Sequence, residues 1–206
     1  MKENLKRYIE ENILPQYENY DKAHQRDHIE TVIKESINLA EKFDADIDMA
    51  YTIAAYHDLG MPQGRETHHL TSAKCLLEDN MLKKWFTDEQ LILMAEAIED
   101  HRASSKNSPR SLYGKIVAEA DRLIDADTVI RRTIQYGLSH YPELGKEEQY
   151  SRMVHHLHEK YAEGGYLKLW IPKSSNAVRL NELREIIKYE ERLKEYFNRI
   201  YDKLKE

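Results

Sequence analysis

Ile53-Ala54-Ala55-Tyr56-His57-Asp58-Leu59-Gly60 is the stretch on which the reading of this chain turns. An apolar run of mostly small residues leads directly into a histidine and an aspartate. Upstream, Met49, Ala50, Ile53 and Ala54 recur at helical spacing, and His57 continues the same stripe. The pattern predicts a helix that stops at Gly60, where glycine can take the left-handed C-cap conformation, with Pro62 preventing continuation. His57 and Asp58 then fall in the last turn of a helix that needs burial. A carboxylate in that position must be paired, hydrogen-bonded or metal-bound, or it costs several kcal/mol.

Working outward, nearly every other segment also has a helical period. Leu5, Tyr8, Ile9 and Ile13 form one stripe, closed by Pro15. Ile29, Val32, Ile33, Ile37 and Ala40 form another, and Ala73, Leu76 and Leu77 a shorter one. Thr87-Asp88-Glu89-Gln90 reads as a capping box that opens a helix carrying Leu91, Met94, Ala95, Ile98 and His101. Ile116, Val117, Ala120, Asp121 and Ile124 share the next face. Further helices are expected at 127–138, at 146–162 ahead of Gly164-Gly165, and from near Ser175 almost to the end. The last would turn Leu183, Ile186, Ile187, Leu193, Phe197, Ile200 and Leu204 inward. Residues 170–176 are the one hinge expected. The fold class is all-α, a single compact helical domain over 1–206.

Composition agrees. The 206 residues contain seven glycines and five prolines, about half the usual share, too few for the turns of a β-sandwich or barrel. A chain of this length buries roughly 70% of its unfolded surface and folds without a staple. The single cysteine, Cys75, excludes a disulfide framework and fits a reducing cytoplasm. No apolar stretch is long enough to span a bilayer, and the first residues lack the apolar core of a signal peptide. The net charge of −6 gives no basic footprint for nucleic acid.

His57-Asp58, with a distant His28 and a distant Asp121, makes a plausible set of four nitrogen and oxygen donors. Such donors suit Mn, Fe, Co, Ni or Zn, and no thiolate pair is on offer. The order His28 … His57-Asp58 … Asp121 resembles the HD superfamily of metal-dependent phosphohydrolases. His24-Gln-Arg-Asp-His28 looks like that family's opening helix, with the second histidine as ligand. Ala54-Ala55-Tyr56-His57-Asp58-Leu59-Gly60 looks like its central element. Ala97-Ile98-Glu99-Asp100-His101-Arg102 and Glu119-Ala120-Asp121-Arg122-Leu123 look like the two that follow. The resemblance covers residues 20–132, leaving 133–206 as additional C-terminal helices.

The resemblance implies a divalent ion (Mn, Fe, Co, Ni, Mg or Zn) held by His28, His57, Asp58 and Asp121, with Asp58 also orienting water. His101 and one of His68 and His69 are the expected catalytic neighbours, either for a second metal or for substrate phosphate. The implied activity is hydrolysis of a nucleotide or related small phosphate ester or anhydride. Two alternatives are a non-catalytic nucleotide-binding module and a diiron oxygenase. Arg65, Arg102, Arg131 and Arg132 are candidates for phosphate contact. Met61 stands where the family often has lysine. The expected partner is a small phosphorylated molecule, not a membrane or nucleic acid, and a homodimer is among the states considered. The remaining residues are read as ordinary: His24 as a supporting residue, His140, His155, His156 and His158 as surface, Tyr189, Tyr196 and Tyr201 as packing, and Cys75 as inert core.

Overall fold

The computed structural model describes residues 1–19, 26–103, 107–122, 124–172 and 174–205. Among them are ten α-helices and no strand. These are α1 Glu3–Asn12, α2 Arg26–Lys42, α3 Ile47–Tyr56, α4 His68–Glu78, α5 Asp88–Asp100, α6 Leu112–Ala120, α7 Ala126–His140, α8 Lys146–Tyr161, α9 Ser175–Lys188 and α10 Glu190–Lys205. No helix among the described residues is long and apolar enough to cross a membrane. The all-α class expected from the sequence is what is found. The expectation of one domain with a core ending near 132 compares with a division by contact into two compact units, Met1–Arg122 and Leu123–Glu206.

In the first unit, α3 is the central element. Asp46 caps it by accepting from the Met49 N–H. Every residue from Asp48 to Tyr56 is buried, as expected of a helix that is apolar on all sides. Ala50, Ala54 and Ala55 are small enough for α1, α2, α4, α5 and α6 to pack around it. Around it Leu5, Ile9, Ile29, Leu76, Met94 and Ile98 are fully buried. The Thr87–Gln90 capping box at the start of α5 is present as expected.

The end of α3 differs from expectation. The helix stops at Tyr56, with His57 as its C-cap and Asp58 in the turn beyond. Gly60 is right-handed, at φ −79°, so it is not there to supply a left-handed cap. It is there for space. A Cβ at this position would lie 2.4 Å from the His68 carbonyl oxygen and 2.7 Å from the Ser72 nitrogen. The Gly60 N–H donates to Ser72 Oγ at 2.8 Å. The start of α4 therefore rests on bare backbone.

The second unit packs α7 against α8 and α10, α8 against α9, and α9 against α10. Its core includes Ile130, Ile134, Met153, Leu157, Leu183 and Phe197. Gly164, at φ +81°, lies just past the end of α8, as its sequence position predicted. The long final helix expected from Ser175 is two helices, separated at Tyr189, whose backbone is extended (φ −105°, ψ 102°). The reason is the phase of the apolar stripe. From Ile187 to Leu193 is six residues, which at about 100° per residue carries the stripe well off the face. A break returns both stripes to one core. His155 and His158 are exposed as expected, whereas His156 is half-buried. Tyr201 is buried beside Phe197, consistent with packing. Residue 173 of the expected hinge lies outside the described residues.

Asp79 ties the first unit together. Its Oδ2 accepts from Tyr8 of α1 at 2.6 Å and Tyr56 of α3 at 2.5 Å, while its Oδ1 accepts from the Met81 N–H. Burial and the Asp79 carboxylate push the Tyr8 hydroxyl up to about 12. Asp79→Ala should cost about 3 kcal/mol in urea unfolding, since two hydrogen bonds to a charged acceptor are lost. The raised Tyr8 value makes a second expectation. Its contribution is complete below about pH 10, where an unfolded tyrosine ionises, and is lost as pH rises towards 12. Tyrosinate absorbance followed alongside unfolding should show this loss in the wild type and a smaller one in Asp79→Ala.

Candidate metal centre

Five helices deliver six side chains to one place. His28 lies in the first turn of α2, His57 caps the C-terminus of α3, and Asp58 follows it. His68 is the first residue of α4. His101 and Asp121 are the C-caps of α5 and α6. Three of these positions are thus the first residue beyond a helix, where the chain must turn and a side chain can be aimed along the helix end.

Asp58 is the shared member. Its Oδ2 lies 3.4 Å from His57 Nε2 and 3.8 Å from His28 Nε2. Its Oδ1 lies 3.4 Å from His68 Nε2 and 3.6 Å from His101 Nε2. Asp121 Oδ1 closes on the first pair, 3.2 Å from His28 Nε2 and 3.7 Å from His57 Nε2. Two overlapping groups with metal-ligating potential result: His28, His57 and Asp58, and Asp58, His68 and His101. His57 is fully buried and Asp58, His68 and His101 nearly so, while the Asp121 side chain is 22% exposed. The open edge of the cluster is therefore on the Asp121 side.

The histidine tautomers follow from hydrogen bonding. His57 Nδ1 faces the Ala54 carbonyl at 2.8 Å, His68 Nδ1 the Arg65 carbonyl at 2.7 Å, and His101 Nδ1 the Ile98 carbonyl at 2.5 Å. A carbonyl only accepts, so Nδ1 carries the hydrogen in each ring, and a neutral ring presents a bare Nε2 lone pair. His57 Nε2 is buried with no hydrogen-bond partner. The Nε2 atoms of His68 and His101 face each other at 3.1 Å. Lone pairs converging on a carboxylate in this way call for a cation. Metal-ligating histidines are held by this same Nδ1–carbonyl bond. Ions bound by nitrogen and oxygen at about 2.0–2.2 Å separate adjacent donors by roughly 2.8–3.6 Å, and the distances here lie within a few tenths of that range. The residues fit a divalent ion.

The electrostatics agree. Burial works against the charged form of His57, but Asp58 and Asp121 outweigh it and hold the imidazole well above its ordinary value. Burial also opposes ionisation of Asp58, yet His57 and His101 keep it well below the usual carboxylate range. Partial removal from water opposes ionisation of Asp121, but His28 and His57 outweigh it and hold the carboxyl low. Burial, then the charge of His101, pushes His68 down to about 4.

Of the residues expected from sequence, His28, His57, Asp58, Asp121, His68 and His101 come together. His68 is the member of the adjacent pair that enters the cluster. His69 stands beside it with ring centroids 5.6 Å apart, half-buried, its Nδ1 without a hydrogen-bond partner. Arg102 Nη1 donates to the Glu66 carbonyl, and Arg65 contributes its carbonyl rather than its charge. Arg131 and Arg132 belong to the second unit. His24 lies outside the described residues. Sequence reasoning gave Arg122 no part in the site, although it is buried against both Asp121 and His101. An arginine immediately after a buried aspartate was the available signal.

Residues 26–125 match the family described as the HD domain. They form an HD domain. It begins with α2 and ends just before α7, so it contains all six clustered residues and none of α7–α10. A solved structure titled as a predicted HD superfamily hydrolase from an uncultured Thermotogales bacterium is similar to this chain. It has 26% sequence identity and a TM-score of 0.52, covering 73% of this chain and 88% of its own. No curated protein matches the chain.

The close approach of α4 to Gly60 makes the HD domain sensitive at this one position. Gly60→Ala should push the first turn of α4 outward, because the atoms it meets are the His68 and Ser72 backbone and the Thr71 Cβ, none of them the far end of a flexible side chain. A stability loss of about 1–3 kcal/mol is expected. His68 should move away from Asp58, seen as a changed imidazole resonance with the His57 signals retained.

Proposed function

We propose that this HD domain is a metal-dependent phosphohydrolase acting on a nucleotide or a related small phosphate ester or anhydride. His28, His57, Asp58 and Asp121 would hold a divalent ion. The observation that carries the reading is the Asp58 carboxylate, buried, with each oxygen turned to a different pair of histidines. When bound, such an ion polarises a phosphoryl oxygen and lowers the pKa of water towards about 7.

The chain's own residues do the rest. Ala54, Arg65 and Ile98 carbonyls fix which ring nitrogen of each histidine faces inward. Burial of His57 and Asp58 keeps bulk water from the inner side, so a substrate approaches from the partly exposed Asp121 edge. Asp58 would also orient the attacking water. His68 and His101 would hold a second ion or contact the phosphate, with His69 and Arg102 flanking them. The net charge of −6 favours a small phosphorylated molecule over a polynucleotide, since any positive potential for phosphate would have to be local, from a bound ion and a few arginines.

A second reading is favoured by one observation. The Asp58, His68 and His101 group gives a place for a second ion, which a diiron oxygenase would require. Metal analysis after anaerobic iron loading separates the two. A mixed-valent iron pair by electron paramagnetic resonance supports the oxygenase, and one ion per chain rules it out.

The test of the main reading is elemental analysis followed by a panel of nucleoside mono-, di- and triphosphates with Mn, Mg, Co and Ni. Turnover with at least one metal is expected. Asp58→Ala should lose both metal and activity while keeping its helicity by circular dichroism. No turnover by metallated protein would sink the hydrolase reading. Tight nucleotide binding without turnover would favour a binding module.

A further inference from the structure

Arg122 follows Asp121 directly and is itself buried, 6% exposed. Its Nη1 donates to the His101 carbonyl oxygen at 3.0 Å. The same nitrogen faces Asp121 Oδ2 at 3.4 Å. The other Asp121 oxygen, Oδ1, is the one turned to His28 and His57. The His101 ring is turned to Asp58 and His68. One guanidinium nitrogen therefore touches a carboxylate belonging to one donor group and the backbone of a residue belonging to the other.

Both contacts answer a local need. The His101 carbonyl stands at the C-terminus of α5, where carbonyls lack intrahelical partners. Asp121 could rotate to offer either oxygen, and a charge on Oδ2 fixes Oδ1 inward. Lysine would do the same work less well. Both contacts come from one nitrogen whose place is fixed by a rigid planar guanidinium, whereas an ammonium on a flexible stem is not held at that point.

We propose that Arg122 is a positioning residue that clasps the two donor groups in register, holding Asp121 Oδ1 and the His101 ring at once. The inference rests on the metal-centre reading above and goes beyond it by assigning a residue that touches neither metal nor substrate. It predicts that removing Arg122 disturbs metal binding more than folding. Loss of an outer hydrogen-bond partner typically weakens metal affinity about 10–100-fold.

The experiment uses the full chain, with Co²⁺ as the probe. Wild type, Arg122→Met, Arg122→Lys and Asp58→Ala are compared by Co²⁺ titration, by the visible bands of the bound ion and by thermal unfolding of the metal-free protein. Arg122→Met should bind Co²⁺ about 10–100-fold more weakly, with altered bands and helicity retained. Arg122→Lys should fall between it and wild type. Should Arg122→Met fail to fold, Arg122→Lys decides. An Arg122→Lys protein with wild-type affinity and bands overturns the proposal, as does an Arg122→Met protein that loses only thermal stability. If wild type binds Co²⁺, Asp58→Ala does not, and both Arg122 variants match wild type, the metal reading stands and the clasp alone fails. If wild type takes up no Co²⁺, both fall.

Discussion

A carboxylate without water around it governs the first unit. Asp58 is nearly inaccessible, and a charge so placed is tolerated only when its surroundings answer it. Four imidazole nitrogens do so here, two for each oxygen. The rest of the unit can be understood as what is needed to bring those nitrogens in. A helix buried on every side supplies His57 and Asp58 from the middle of the core. Four of its neighbours, α2, α4, α5 and α6, each contribute one further group from a terminus or a first turn. The arrangement needs helices that end in the interior, which is uncommon because terminal backbone groups then lose water.

The interior ends are made acceptable by the site itself. Three histidines each take up the carbonyl three residues earlier, from Ala54, Arg65 and Ile98. The same bond that orients the ring thus also engages a backbone oxygen close to a helix end, in addition to the His101 N–H at the Ile98 carbonyl. Arg122 serves the His101 carbonyl in the same way. Function and folding are therefore linked at the level of single hydrogen bonds, and side chains placed for chemistry also complete the backbone.

What was legible in the sequence was what local rules dictate. The Thr87–Gln90 capping box and Gly164 act within a few residues, and both stand where the sequence put them. The places of His28, His57-Asp58 and Asp121 on apolar stripes marked them as candidates, because polar residues on buried faces must meet partners, and the resemblance to the HD superfamily grouped them as a ligand set. The misses have tertiary causes. Gly60 was read as a helix cap because glycine commonly caps helices, but its requirement comes from the backbone of α4. His68 and His69 could not be separated by pattern, since they are neighbours at a helix start and the Arg65 carbonyl decides between their surroundings. The break at Tyr189 carries no proline or glycine, and only the phase jump between Ile187 and Leu193 announces it.

That His57, His101 and Asp121 are each the residue just past a helix has a consequence for the field at the centre. Every α-helix carries a partial negative charge, equivalent to about half an electron, at its carboxyl end. α3, α5 and α6 all direct that end towards the cluster. α2 and α4 bring their amino ends, with the opposite partial charge, to the same place. Three carboxyl ends thus stand against two amino ends, and the sign at the centre is decided by Asp58 and Asp121. An anion approaching the bare site meets those two carboxylates first, and only a cation already seated there reverses the sign.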